Sequence, residues 1–254
     1  MSNNQDGSES ENNAGLYKLI RFIIHLLGCL QFSYSVYYDW NYVIIPASVS
    51  HMGSGYGGKL KFLTFWDAIL QSVYFTICLI NDFFGNNDIS IKEKPLIRKL
   101  KDYMYATVAF PLAMFVGVQF WALMAIDREL VFPKALDPFF PSWLNHVMHT
   151  NIVIFTVLEM VTTFRVYPKR SKGLTGLLVF LAVYLVWLHI IYANSGVWVY
   201  PVLEVLNWWQ RVIFYIVSLC IACGLYLIGE TLNKAIWGKV QKQLEAGKGR
   251  KKTK

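Results

Sequence analysis

Charge is scarce in this chain. Asp, Glu, Lys and Arg make up 16% of its 254 residues, against about a quarter in an ordinary soluble domain. With 55% hydrophobic and 16% aromatic residues and a mean hydropathy of +0.38, the composition excludes an ordinary soluble domain. Cysteine is sparse too: the four present, Cys29, Cys78, Cys220 and Cys223, all fall in apolar stretches. That placement argues against a disulfide framework, which wants an oxidising aqueous face, and against a zinc site, which wants four suitable ligands. No internal repeat is evident. The first sixteen residues are polar and slightly acidic, without the basic start, apolar centre and small-residue cleavage site of a secretory leader. They are expected to form a disordered tail, leaving the first apolar helix as its own insertion signal.

What the chain has in abundance is hydrocarbon. Apolar windows of about 20 residues, enough to cross a layer of roughly 30 Å, lie near 19–38, 62–80, 104–126, 143–163, 174–193 and 209–229. The expected fold is an all-α membrane protein, a bundle of six transmembrane helices. Its expected parts are a tail over 1–16, a membrane domain over 17–237 and a basic tail over 238–254. Basic residues orient it. With the N-terminus inside, 19 of the 24 Lys and Arg residues fall on inner flanks, leaving Lys59, Lys61, Arg128, Lys134 and Arg211 outside, so both termini are expected in the cytosol. The net charge of +8 follows from this topology and from attraction to anionic inner leaflets, and needs no nucleic-acid partner.

Against this background the polar residues stand out, because such groups inside a spanning helix are disfavoured by several kcal/mol unless they face a polar interior. The second window carries Thr64, Asp67 and Gln71, spaced i, i+3, i+7 along one helical face. The fourth carries Asn145, His149, Thr156 and Glu159, again on one face, with His146 turned away from Asn145 toward the rim. At 1.5 Å per residue, Thr64 lies about 6 Å below the start of its helix and His149 about 9 Å below Trp143. Both helices run from outside to inside, so a hydroxyl and an imidazole share the outer half of the bilayer. Eight of the nine tryptophans also map outward, leaving Trp237 inside. Two readings fit that bias: an uneven interfacial belt, or a wide outer vestibule with apolar walls suited to a long-chain ligand. His25 and His189 stand alone in their helices and read as packing or hydrogen-bonding residues. Asp67 and Glu159 read as buried groups with neighbouring partners.

Five blocks in order, covering about residues 25 to 240, give this chain a resemblance. They are Lys61-Phe-Leu-Thr64-Phe-Trp-Asp67, Asp127-Arg-Glu-Leu-Val-Phe-Pro-Lys134, Leu144-Asn-His-Val-Met-His149-Thr, Trp198-Val-Tyr-Pro201 and Gly229-Glu-Thr-Leu-Asn233. Together they resemble the androgen-induced and androgen-dependent TFPI-regulating proteins. The resemblance implies a six-span hydrolase that cleaves fatty acid esters of hydroxy fatty acids, with Thr64 as nucleophile, His149 as its base, and no metal or other cofactor. His146 matches a second histidine of the same block, without an assigned role. The implied chemistry agrees with the residues: a threonine hydroxyl needs a neighbouring base, and neutral histidine is suited to that work near pH 7. Asn145 is a candidate oxyanion donor alongside Trp and Tyr side chains, and Asp67 a candidate to orient His149. The substrate would arrive as a lipid from the bilayer.

Two other classes stay open. One is a metal-dependent lipid amidase in the manner of alkaline ceramidases, with His146 and His149 as ligands on adjacent turns. The other is a haem or lipid carrier recruiting His25 or His189. The terminal Lys251-Lys252-Thr-Lys254 resembles a dilysine retrieval signal read by coat proteins. It implies an endoplasmic reticulum address, with the plasma membrane as the second choice.

Overall fold

The computed structural model describes the backbone of residues 2–50, 55–89 and 93–252, and the side chains of residues 15–50, 55–89, 93–244 and 246. Among the described residues there are helices and connecting turns and no strand. Six helices are long and apolar enough to cross a membrane, as the hydropathy windows predict: α1 (Ser2–Tyr42), α2 (Leu63–Phe84), α3 (Leu96–Ile126), α4 (Ser142–Thr162), α5 (Arg170–Ser195) and α6 (Trp208–Lys252). With an even number of spans, both ends of the chain lie on one side.

Several helices outrun their apolar windows. α3 starts at Leu96, two turns before residue 104, because Arg98 and Lys101 find partners while buried. Arg98 donates to the backbone oxygens of Asn86 and Asp88, and Lys101 donates to Asn87 Oδ1 at 2.6 Å. Hydropathy counts such residues as solvated, yet paired charges can be enclosed. α6 continues past its apolar part to Lys252, and α1 is helical from Ser2. The side chains of Lys251 and Lys252, and the last two residues, lie outside the described set, as do the side chains of residues 1–14.

Chain punctuation follows proline and glycine. Pro95 and Pro141 sit directly before α3 and α4, where a missing N–H costs nothing. α5 closes on Gly196, whose φ of +72° is left-handed and favours glycine. The outward flanks of α1, α5 and α6 expose residues such as Leu27, Val179, Val186, Ile213 and Ile216. A soluble protein would bury these, and a membrane-spanning bundle presents them to lipid.

The two halves of the bundle differ. In the half nearer the termini, Glu159 is fully buried and takes hydrogen bonds from Tyr74 (2.8 Å), Arg165 (2.6 Å) and Thr163 (3.0 Å), and it meets His25 Nε2 at 2.7 Å. His25 Nδ1 reaches Asp82. These contacts tie α1, α2, α4 and the loop after α4 together. Both expectations here hold: Glu159 is a paired buried group, and His25 serves hydrogen bonding. His189 likewise donates from Nδ1 to the Leu185 carbonyl at 2.8 Å, between Trp198 and Tyr215. The opposite half is hollow.

Candidate active site

The start of α2 is pinned by aromatic side chains. The indole N–H groups of Trp66 and Trp187 both donate to the Leu60 carbonyl, at 2.6 and 2.9 Å. Tyr184 donates its hydroxyl proton to the Lys61 carbonyl at 2.9 Å, and the Leu63 N–H is shared between the oxygens of Tyr184 (3.0 Å) and Tyr200 (2.8 Å). Part of the outward tryptophan bias is thereby accounted for by donors that fix a turn.

This arrangement frees Thr64. Four helical threonines bond back to the carbonyl four residues earlier: Thr76 to Ser72, Thr156 to Ile152, Thr162 to Leu158 and Thr231 to Leu227, at 2.7 to 2.8 Å. The equivalent carbonyl for Thr64 belongs to Leu60, which the two indoles occupy. Thr64, second residue of α2, directs its hydroxyl elsewhere, and its Oγ1 lies 3.3 Å from His149 Nε2.

His149 is held on three sides. Its Nδ1 lies 2.9 Å from the Asn145 carbonyl, a pure acceptor, so Nδ1 carries the proton and the Nε2 lone pair faces Thr64. The Phe120 ring of α3 stacks on the imidazole, centroids 3.6 Å apart and planes 17° from parallel. The helix itself is π-wound over Val147–Asn151, a distortion that recurs at functional sites because it re-aims side chains. Close approach of α3 and α4 allows the stacking. A Cβ on Gly117 would lie 2.9 Å from the His149 carbonyl oxygen and 2.5 Å from Val153 Cγ2.

The other sequence candidates are distributed around this pair. Asn145 lines the cavity with Thr64 and His149, and its side-chain oxygen has no partner. Asp67 is fully buried one turn below Thr64 and accepts from Gln71 Nε2 at 2.9 Å, while its second carboxylate oxygen is unpartnered. It does not orient His149; the Asn145 carbonyl holds that position. His146 is exposed, stacked near Trp121 and 3.2 Å from Thr150 Oγ1. Among the described residues, one group of His, Cys, Asp and Glu side chains is tight enough to share a metal ion. It is His25, Cys78 and Glu159, with ligand atoms within 4.8 Å of one another, and includes neither His146 nor His149. The Arg165 guanidinium on Glu159 and the acidic partners already on both His25 nitrogens suit an ion-pair network better than a cation site.

Two cavities meet at Thr64. The larger, about 370 Å³, runs from Thr64, Asn145 and His149 toward the Asp39–Lys59 ion pair, under Phe132 and Phe140 of the loop after α3. Lys59 also donates to the backbone oxygens of Asp39 and Val43, capping the end of α1. The smaller, about 150 Å³, lies between α3, α5 and α6 and is walled by Phe115, Leu181, Leu185, Leu188, Phe214 and Leu219. Thr64, Phe120, Val131 and Tyr200 belong to both. Sequence reasoning gave no role to Phe120, Gly117 or Tyr200. Tyr200 lies within the Trp198-Val-Tyr-Pro201 block, the one signal that pointed to it.

Residues 20–234 match the profile of the FAR-17a/AIG1-like protein family. The chain is 42% identical over 204 residues to the human androgen-induced gene 1 protein, covering 78% of this chain and 85% of that one. It is 37% identical over 186 residues to the mouse androgen-dependent TFPI-regulating protein, covering 73% and 80%. A fission-yeast protein described as a membrane protein is 24% identical over 176 residues, covering 68% and 74%. No solved structure matches.

Proposed function

This chain belongs to the FAR-17a/AIG1-like protein family, and we propose that it is an intramembrane threonine hydrolase that cleaves fatty acid esters of hydroxy fatty acids. The observation that carries the reading is Thr64 Oγ1 at 3.3 Å from an unprotonated His149 Nε2, where two cavities join. That separation is near the outer limit of a hydrogen bond, as is usual for a nucleophile and base before substrate draws them together.

In this reading each part of the substrate has a place in the two cavities. The ester carbonyl sits at Thr64, the acyl chain in the smaller apolar cavity, and the hydroxy acid in the larger cavity on the imidazole side, its carboxylate toward the polar end at Lys59 and Asp39. Thr64 Oγ1 attacks the carbonyl carbon as its proton passes to His149 Nε2. The tetrahedral oxyanion collapses, the bond to the hydroxy-acid oxygen breaks, and that oxygen takes the proton from Nε2. Water, deprotonated by the same nitrogen, then attacks the acyl–Thr64 ester, and Thr64 leaves with the proton restored. One ester and one water become one acid and one alcohol.

Both termini in the cytosol, with the site in the outer half of an endoplasmic reticulum bilayer, complete the reading. Lys251 and Lys252 serve as the coat-protein address. Lipid delivers the substrate sideways and limits water to what deacylation requires. Thr64→Ala and His149→Ala should each abolish ester hydrolysis with expression and insertion intact. A fluorophosphonate probe should label the wild type and spare Thr64→Ala. Turnover surviving in either variant refutes the assignment.

A further inference from the structure

Attack at Thr64 places negative charge on the former carbonyl oxygen, and the site's stereochemistry fixes where that oxygen points. His149 must hand its proton to the leaving oxygen, so the leaving group lies on the imidazole side and the carbonyl oxygen on the other. Asn145 belongs to the imidazole side: it stands one turn before His149 on α4, and its carbonyl holds Nδ1. The opposite side is the first turn of α2, where the helix presents its positive end and the Leu63 N–H is met by phenol oxygens in place of a carbonyl.

We propose that Tyr200 is the oxyanion donor of this site. The inference rests on the hydrolase reading above. Tyr200 lines both cavities beside Thr64, and its oxygen is fixed 2.8 Å from the N–H of Leu63, the residue preceding the nucleophile, and 2.9 Å from Tyr184 Oη. The protons of this cluster can be assigned. Leu63 N–H points at the two phenol oxygens, and Tyr184 gives its proton to the Lys61 carbonyl. The Tyr200 proton alone has no carbonyl to receive it and rests on the Tyr184 oxygen. Turning it to an oxyanion exchanges a neutral hydrogen bond for a charge-assisted one, about twice as strong. Burial pushes the Tyr200 phenol above its ordinary value, so the group stays protonated at neutral pH. Its backbone is extended (φ −114°, ψ 133°), between buried Trp198 and Val199 and the one-turn helix Pro201–Val205, a fixed mount for the ring.

The test is Tyr200→Phe, which removes one oxygen and keeps the ring. The expected result is a fall in kcat of about 100-fold with KM within about threefold, as for other single oxyanion donors. Fluorophosphonate labelling of Thr64 should slow in parallel, because phosphonylation develops charge on the same oxygen. Tyr184→Phe should lose less, since it leaves the Tyr200 hydroxyl on Leu63. Turnover by Tyr200→Phe within about threefold of wild type, with Thr64→Ala inactive, overturns the role of Tyr200; an active Thr64→Ala overturns the hydrolase reading itself. Should Tyr200→Phe not fold, fluorotyrosine at position 200 supplies the readout. A donor must keep its proton, so activity lost at alkaline pH should be lost at lower pH as fluorination makes the phenol more acidic. An unmoved alkaline limb also overturns the proposal.

Discussion

Gly117→Ala tests whether close approach of two helices sets the reactive geometry. The new methyl would stand 2.9 Å from the His149 carbonyl oxygen and 2.5 Å from Val153 Cγ2. Val153 can turn a rotamer, but the carbonyl is backbone. Restoring ordinary contact at 3.4 Å needs about 0.5 Å of separation between α3 and α4. Phe120 rides on α3 one turn further along and presses on the imidazole, so the separation loosens His149 directly. The Thr64 to His149 distance is 3.3 Å already; half an ångström more takes it beyond hydrogen-bond reach. Misplacement of about 1 Å costs about 100-fold in rate, which puts the expected kcat loss between about 10- and 100-fold. Stability should change less: overpacking costs about 1 to 3 kcal/mol, and replacing glycine in a helix returns up to about 1. The assay pairs ester turnover with thermal unfolding of the detergent-purified protein. Full turnover with unchanged fluorophosphonate labelling would refute the claim that this contact positions His149.

Glu159→Gln should separate stability from chemistry. Removing the charge on which Arg165 and His25 converge leaves buried partners uncompensated and should cost about 3 to 5 kcal/mol, read as a lowered unfolding temperature. Turnover per labelled site in the folded fraction should stay within about threefold of wild type, and a selective loss of kcat would contradict the division of the bundle into two halves. Leu185→Trp adds an indole to the smaller cavity of about 150 Å³, and should lower the ratio of kcat/KM for long over short acyl chains by at least about tenfold. An unchanged ratio would mean that the acyl chain lies elsewhere.

The six spans were legible because crossing hydrocarbon demands long apolar windows, and nothing else in the chain imitates them. Their ends were less so. The extra turns of α3 carry Arg98 and Lys101, whose burial depends on acceptors at Asn86, Asn87 and Asp88, on the far side of a loop. Thr64 and His149 were legible by depth: alternating spans run their two helices in the same direction, and helical rise placed both groups in one half. What linear spacing does not carry is contact between helices. Nothing in the order of residues says that Phe120 covers an imidazole, that Gly117 makes room for it, or that the Asn145 carbonyl rather than Asp67 holds Nδ1. The π-wound turn at Val147–Asn151 also escapes a reading that assumes 3.6 residues per turn.

A threonine hydroxyl in a membrane helix is ordinarily claimed by its own backbone, and the arrangement around Leu60 explains how Thr64 escapes this. A threonine deep in α2 would find a carbonyl four residues back, as Thr76 does, and its proton and lone pairs would be engaged there. Placing Thr64 at the second position of the helix leaves only Leu60, in the turn Gly58–Lys61, and two indole donors occupy that oxygen. The same turn is gripped by Tyr184, and Tyr184 and Tyr200 share the first N–H of α2. One set of aromatic tips therefore does three things: it fixes where α2 begins, removes the competitor for the threonine, and lines the wall that the carbonyl oxygen would meet. In the other half of the bundle Glu159 alone gathers contacts from four side chains, a satisfied network that rigidifies. The half away from the termini leaves Thr64 with one loose partner and the Asn145 side-chain oxygen with none, next to open volume. Unsatisfied polar groups beside a cavity are costly to folding, and the Asn145 oxygen, an acceptor, needs a donor such as a water or a hydroxyl bound in the cavity.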